Sequence, residues 1–509
     1  MPTSWANFGV DLHLELASRR TAGGRRVRAG LETALRDAVR SGRLSPGTRL
    51  PPSRDLAADL GIARNTVAEA YAQLVAEGWF AARTGSGTWV ASHPAVASRP
   101  GVFGSPPAAV LAVAASPGSP APAVLAAAAS SALPDRDRPP RFDLRAGSPA
   151  VGMFPRAQWL SAARAALQAA PDYLLDYGDP RGLHELRTAL AGYLARARGV
   201  ITSPDRIVIC AGYAHGLALI ARVLARRGAA TIAVEGYSRL AHRQLIEAHG
   251  LSAEALTVDE LGAVPESSVL DRAGAAALTP AHQFPLGVTL APARRAAFTG
   301  WAAGTGGLLI EDDYDGEFRY DRQPTGALQA LAPEHVIYAG TASKSLAPGL
   351  RLGWLAAPAA LTEELVAVKA SLGAENGILD QLTLARLITS GGYDRQIRQA
   401  RLVYRRRRDQ LIAALGRHVP DVRLTGIAAG LHAVATLPDG SDEGDAVARA
   451  ALHGVAIDRL ANYTAAAHTL RPALVIGYSR PADHAYTTAV TRLCAALAET
   501  GRPGPAGGR

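Results

Sequence analysis

Lysine is nearly absent from this chain: of 54 basic residues only Lys344 and Lys369 are lysine, and all others are arginine. Arginine serves a solvated surface as well, but its guanidinium cannot condense with an aldehyde as an amine can. Lys344 lies in "VIYAGTASKSLAPGLRLGWL", between a β-like run and a turn, and marks a place where an amine is required. Cysteine is as scarce. Cys210 and Cys494 offer neither a disulfide framework nor the spacing of a zinc site. No apolar run reaches the roughly 18 residues of a membrane span. The Ala-rich stretch near 107–130 is broken by Pro and Gly and reads as linker. The N-terminus lacks the charged-then-apolar pattern of a signal peptide. A cytoplasmic protein without membrane association is expected. With 48% hydrophobic and 19% charged residues over 509 positions, the chain has enough apolar material for two or three domains.

What charge there is lies unevenly. Residues 19–90 hold twelve arginines against six acidic residues, a net of +6 out of +10 for the whole chain. A basic module of this kind suits a polyanion such as DNA; a solvated basic face is the competing reading. Patterning decides for the first. Leu31, Leu35, Ala38 and Val39 recur at helical spacing over 27–41. "GRLSPGTRLPPSR" is turn chemistry, and Ser53 is the expected N-cap of a short helix carrying Leu56, Ala57 and Leu60. A third helix over 63–78 turns Val67, Ala70, Tyr71, Leu74 and Val75 inward, and "WFAARTGSGTWVA" then alternates as a strand pair around "TGSG". This is the order of a winged helix-turn-helix. It leaves Arg64, Asn65 and Thr66 at the start of the third helix free for base edges and phosphates. Arg49, Ser53 and Arg54 around the second helix suit backbone phosphates, as do Thr84 and Ser86 at the wing.

The stretch "GRLSPGTRLPPSRDLAADLGIARNTVAEAYAQLVAEGWFAARTGSGTWV" closely resembles the GntR-type winged-helix domain of bacterial transcription regulators, over residues 26–91. The resemblance implies operator contacts by Arg54, Arg64 and Thr66. Residues 1–25 form an extension before it. Over 92–141 Pro, Ala, Ser and Gly dominate, as expected of a linker, with room for a short helix near 121–132.

From Phe142 to about residue 500, short apolar runs ending in Gly or polar residues alternate with helical stretches. "RIVICAG", "TIAVEG", "AAALTPAHQ", "GGLLIEDDYD" and "HVIYAG" argue a mainly parallel α/β sheet, whose ligands bind outside the carboxyl ends of the strands. Residues 501–509 are expected to be a disordered tail. Asp312 and Lys344 each lie just past such a strand. Pyridoxal phosphate (PLP) asks a protein for an amine, a carboxylate for its ring nitrogen and a phosphate cup. Lys344 and Asp312 supply the first two. Thr341, Ser343, Ser345 and Arg351 cluster as phosphate ligands, and a helix starting at Gly212–Tyr213 adds backbone N–H groups. "GTASKS" is not a nucleotide P-loop, since Ser343 stands where that motif needs Gly.

Residues 142–500 resemble fold-type-I aminotransferases, and the whole chain resembles the MocR-type regulators, in which a GntR-like DNA domain is fused to an aminotransferase-like, PLP-binding and dimerisation domain. The stretches that carry this are "YGDPRGLHELRTALAGYLARARGV", "TPAHQFPLGV", "IEDDYDGEFRY", "GTASKSLAPGLRLGWL" and "AGLHAVATLPDG". The resemblance implies Lys344 as Schiff-base lysine, Asp312 as partner of the pyridine nitrogen and Tyr314 as partner of the ring hydroxyl. It also implies Ser343 and Arg351 as phosphate ligands, Tyr237 as the aromatic stacked on the ring, and Tyr177 as the tyrosine that reaches a neighbour's cofactor.

The departures are equally specific. The phosphate loop reads "AGYAHG", so Tyr213 and His215 replace side-chain donors. The aminotransferase Asn-Pro-x-Gly becomes "FPLG", leaving His282 or Gln283 to replace the asparagine. Val475 stands where the substrate-carboxylate arginine belongs, with Arg471 and Arg480 only flanking it. The expectation is a PLP-dependent transcription regulator, a head-to-tail homodimer on double-stranded operator DNA, controlled by PLP or by its aldimine with a small amine effector. The alternative is an active aminotransferase carrying a DNA-binding tether.

Overall fold

In the computed structural model the described residues are 24–40, 44, 47–83, 87–91, 140–320, 326–464 and 471–499. Thr84 and Ser86, the 121–132 segment and the 501–509 tail lie outside them.

The basic N-terminal stretch folds as its pattern requires. Helices α1 (Gly24–Arg40), α2 (Ser53–Leu60) and α3 (Arg64–Ala76) precede an antiparallel pair, β1 (Phe80–Arg83) and β2 (Gly87–Val90). Leu31, Leu35, Leu56, Val67, Leu74 and Phe80 meet in one apolar cluster. Ser53 is the first residue of α2 rather than its cap: Pro52 holds the cap position and no side chain bonds there. Proline pre-sets the backbone for helix entry and displaces the cap by one residue.

The remainder is built on a seven-stranded sheet. Its strands are β3 (Ile207–Cys210), β4 (Thr231–Glu235), β5 (Ser252–Leu256), β6 (Ala275–Leu278), β7 (Leu308–Asp312), β8 (Val336–Thr341) and β9 (Gly353–Ala356), in the order β3-β9-β8-β7-β6-β4-β5. Only β9 runs antiparallel to its neighbours. Both faces are covered, which is why the strands read as unbroken apolar runs. Ile207 and Ile209 face one cluster with α4 (His184–Arg198) and α7 (Ile378–Thr389). Val208 and Cys210 face another, with α5 (Tyr213–Arg226) and α6 (Ala359–Ser371). The long helix α8 (Gly392–His418) leads to a smaller antiparallel sheet formed by 423–425, 432–436, 473–477 and 458–459, in that spatial order.

The winged helix rests on the larger sheet's periphery. Ala330 and Leu331 join its apolar cluster. Arg295, wholly buried, donates from Nε to the Glu77 carbonyl (3.3 Å) and from Nη2 to the Gly326 carbonyl (2.7 Å). The turn that meets the module is tied to the strand ending in Asp312, because both Glu311 carboxylate oxygens accept backbone N–H groups, from Leu328 and Gln329, at 2.8 Å.

Candidate functional site

Asp312 ends β7 and Lys344 follows β8, its parallel neighbour, so both reach one pocket at the carboxyl end of the sheet. Lys344 Nζ donates to the Gly147 carbonyl at 2.5 Å. Its amine is pushed down to about 8, chiefly by burial and then by the Arg239 guanidinium, with Asp312 and Asp315 opposing. Burial drives the Asp312 carboxyl well above the usual carboxylate range, and Oδ1 is buried with no hydrogen-bond partner. A buried acid with an unused oxygen is held for a partner that the protein itself does not supply.

The cup beside them is a backbone construction. Gly212 (φ +99) starts α5, and a Cβ built on it would lie 3.8 Å from Arg351 Nη1 and 4.0 Å from both Ser343 Oγ and Thr341 Oγ1. Thr341 Oγ1 and Ser343 Oγ are 2.8 Å apart. Arg351 itself adopts φ +52 and lines the pocket. One guanidinium, two hydroxyls and the start of a 14-residue helix thus converge on a space fit for an anion. Ser345 is not part of the cup: it is buried and shares a 2.7 Å hydrogen bond with Tyr393.

Tyr314 lines the pocket, its hydroxyl 3.0 Å from His282 Nδ1, which is itself 2.9 Å from Asp315. Of the two candidates for the missing asparagine, His282 therefore reaches Tyr314. Gln283 is turned away, donating to Glu235, the Tyr237 carbonyl and the Phe284 carbonyl. Tyr213 lines the pocket at the helix start, its ring 4.9 Å from His242. Burial lowers His242 to about 3, so this wall is neutral. Tyr237 does not line the pocket: its ring packs in the apolar cluster of Phe284 and Tyr463 behind the wall. Tyr177 is 95% exposed and lies in a different surface depression. His215 Nδ1 accepts from the Ala211 backbone at 3.0 Å, a structural use.

No arginine of the final strand enters the pocket. Val475 is wholly buried, Arg471 faces Asp439, and Arg480 pairs with Asp143. Instead Arg239 lines it from the segment after β4, stacked 4.8 Å above Phe284, with no ion pair among the described residues. His432, also in the lining, is kept neutral by burial and the neighbouring His282, and is bonded to the Pro285 carbonyl. Neither residue is marked by a local pattern in the sequence. "VEGYSRL" and "AGLH" contained them, but nothing in either stretch shows that its side chain turns to the pocket.

On the winged helix, Arg64 and Asn65 are exposed at the start of α3 with Thr66 beside them. Arg54 is exposed and paired with Asp55 at 3.0 Å. Ser53 is half-buried. Arg49 forms a bridge with Trp89 and lays its guanidinium against Gly87, so it serves the wing rather than standing clear of it.

Residues 28–90 match the bacterial regulatory proteins of the gntR family, and residues 144–255 and 285–470 match aminotransferase class I and II. The chain is 32% identical to the HTH-type pyridoxine biosynthesis transcriptional regulator PdxR of Corynebacterium glutamicum, over 79% of this chain and 82% of that one. It is also 32% identical to the probable rhizopine catabolism regulatory protein MocR of Rhizobium meliloti, over 76% of each. Kynurenine aminotransferase of Pyrococcus horikoshii shares the larger fold with a TM-score of 0.64 at 25% identity, over 72% of this chain and 93% of that one. A gntR module joined to an aminotransferase fold, with regulators of that build matched over most of their length, places the chain in the MocR-type family of GntR transcription regulators.

Proposed function

We propose that this regulator holds PLP in the Lys344 pocket and that the occupant of the pocket controls operator binding by the winged helix. The observation that carries the reading is the pairing of Lys344 with Asp312 beside the cup of Gly212, Thr341, Ser343 and Arg351. The donor set fits the cofactor: an amine of lowered basicity, a buried acid with a free oxygen, and an anion cup. Bound PLP supplies an aldehyde that condenses with amines. Lys344 would hold that aldehyde, Asp312 the ring nitrogen, and Tyr314, steadied by His282, the ring hydroxyl. Tyr213 would close the space over the cup. Arg239 offers a cation to an acidic effector amine, which the final strand no longer does.

Arg64, Asn65 and Thr66 would read the major groove, with Arg49, Ser53 and Arg54 and the wing residues Thr84 and Ser86 on phosphates. The functional division is 26–91 for DNA, 92–141 as linker and 142–500 for cofactor and dimerisation. The assembly on this reading is a head-to-tail homodimer with Tyr177 facing the neighbour.

The test is a titration of purified protein with PLP, followed by absorption, beside Lys344→Ala. A visible band that borohydride removes and the variant lacks supports the reading; no band in the wild type refutes the cofactor. Turnover of amino acids to keto acids would favour an aminotransferase instead, against the loss of the arginine at Val475.

A further inference from the structure

The exposed face of α3 does not stop at its free end. From Arg64 it continues to Glu69 and Ala72, where it becomes one wall of a cleft whose opposite wall is α8 of the aminotransferase-like body. That opposite wall presents Arg398, Arg401 and Arg405, all exposed. The acidic side chains of the cleft are already engaged: Glu69 with Arg28 at 3.1 Å, Asp394 with Arg196 at 3.0 Å, and Glu317 with the Tyr193 hydroxyl at 3.3 Å. Of the three arginines only Arg405 has an ion pair in return, a long and exposed one. Arg401 donates only to the Glu317 carbonyl, Arg405 stands 3.9 Å from Asp409, and Arg398 has no ion pair among the described residues.

We propose that α8 is a second DNA-contacting element: Arg398, Arg401 and Arg405 engage the phosphates of the duplex whose major groove α3 enters. The inference rests on the reading of α3 as the groove-entering helix. Spacing supports it. Positions 398, 401 and 405 share one helix face and span seven residues, or about 10.5 Å. Measured along the axis of a duplex lying parallel to the helix, that covers a rise of about three base pairs at roughly 3.4 Å each. Ala72 lies eight residues from Arg64, about 12 Å along the same helix, so a duplex seated on the exposed face of α3 is brought toward α8. Such contacts carry no sequence information; they fix how the body lies on the operator.

The test uses the full-length protein and a 40-base-pair duplex that it selects from random sequence, with affinity measured by anisotropy across a salt series. Arg398→Ala/Arg405→Ala removes two exposed charges that make no backbone hydrogen bond among the described residues. The slope of log affinity against log salt should become shallower by about 2, at roughly 0.9 per lost phosphate contact. Arg398→Lys/Arg405→Lys should keep the wild-type slope, and so should Arg406→Ala, which pairs with Asp483 outside the cleft. An unchanged slope in the double-alanine variant overturns the inference. If Arg64→Ala still weakens binding in that case, the groove reading survives; if the wild type binds no duplex, both fall.

Discussion

Lys344 is held at a protonation midpoint that makes its amine usable near neutrality. With that midpoint at about 8, the reactive neutral form is half of the population there and saturates about one to two pH units higher. Capture of added PLP by the apo protein should follow this curve in stopped-flow absorbance. Arg239→Ala removes a charge that lowers the amine, so the midpoint of capture should move to higher pH; an unmoved midpoint would assign the depression to burial alone. The same depression costs stability. Between about 8 and 10.5 the unfolded chain keeps the proton that the folded chain has lost, so stability from this group rises with pH across that window. Lys344→Met should therefore unfold at a higher temperature than apo wild type at pH 7, the gap narrowing as pH rises through the window.

Elements show where the sequence was readable. Buried runs such as "IVIC" and "VIYAGT" announced the sheet because both of its faces are covered. The three helices of the basic N-terminal module announced themselves by apolar spacing. The reversal of β9 was not readable: "GWLA" has the same apolar character as its parallel neighbours, and direction is set by the short turn after Lys344. For the site, Lys344, Asp312, Tyr314, Tyr213, Thr341, Ser343 and Arg351 stand at strand ends or the helix start in the sequence, and all of them line one pocket. Tyr237 packs with Phe284 and Tyr463, and no pattern in "VEGYS" tells whether its ring faces the pocket or that cluster. The turn into β9 also passes very near the cup: a Cβ at Gly353 would lie 2.8 Å from Gly212 Cα, a backbone clash with no side chain to yield. Gly353→Ala should lower stability by about 1–3 kcal/mol in chemical denaturation and weaken PLP binding in the absorption titration. On α3, Arg64→Ala should cost about 1–3 kcal/mol on the selected operator and relax one base position. An equal loss on random duplex would reassign Arg64 to phosphate contact.

At the scale of the molecule, the DNA module and the body meet through a buried arginine and a turn tied to the strand that ends in Asp312. No local pattern in "RRAAF" or "GALQALAP" signalled this, because a docking surface belongs to two segments distant in the chain. Arg295→Ala leaves the Glu77 and Gly326 carbonyls without their donors, a loss of about 1–3 kcal/mol for buried polar groups. The module should then detach from its seat, visible as a larger radius of gyration in X-ray scattering with the far-ultraviolet dichroism unchanged.

The arginine bias of the chain has a further effect at this scale. Lys369, the other lysine, has its amine turned inward to the Pro180 carbonyl and is almost wholly buried. A reactive aldehyde in solution ordinarily decorates a protein wherever side-chain amines stand at the surface, and that background scales with dose. Here both lysine amines are engaged in the fold and only Lys344 lines the pocket, so an added aldehyde, even in large excess, should leave little modification of surface lysines after reduction, as intact-mass spectrometry would check.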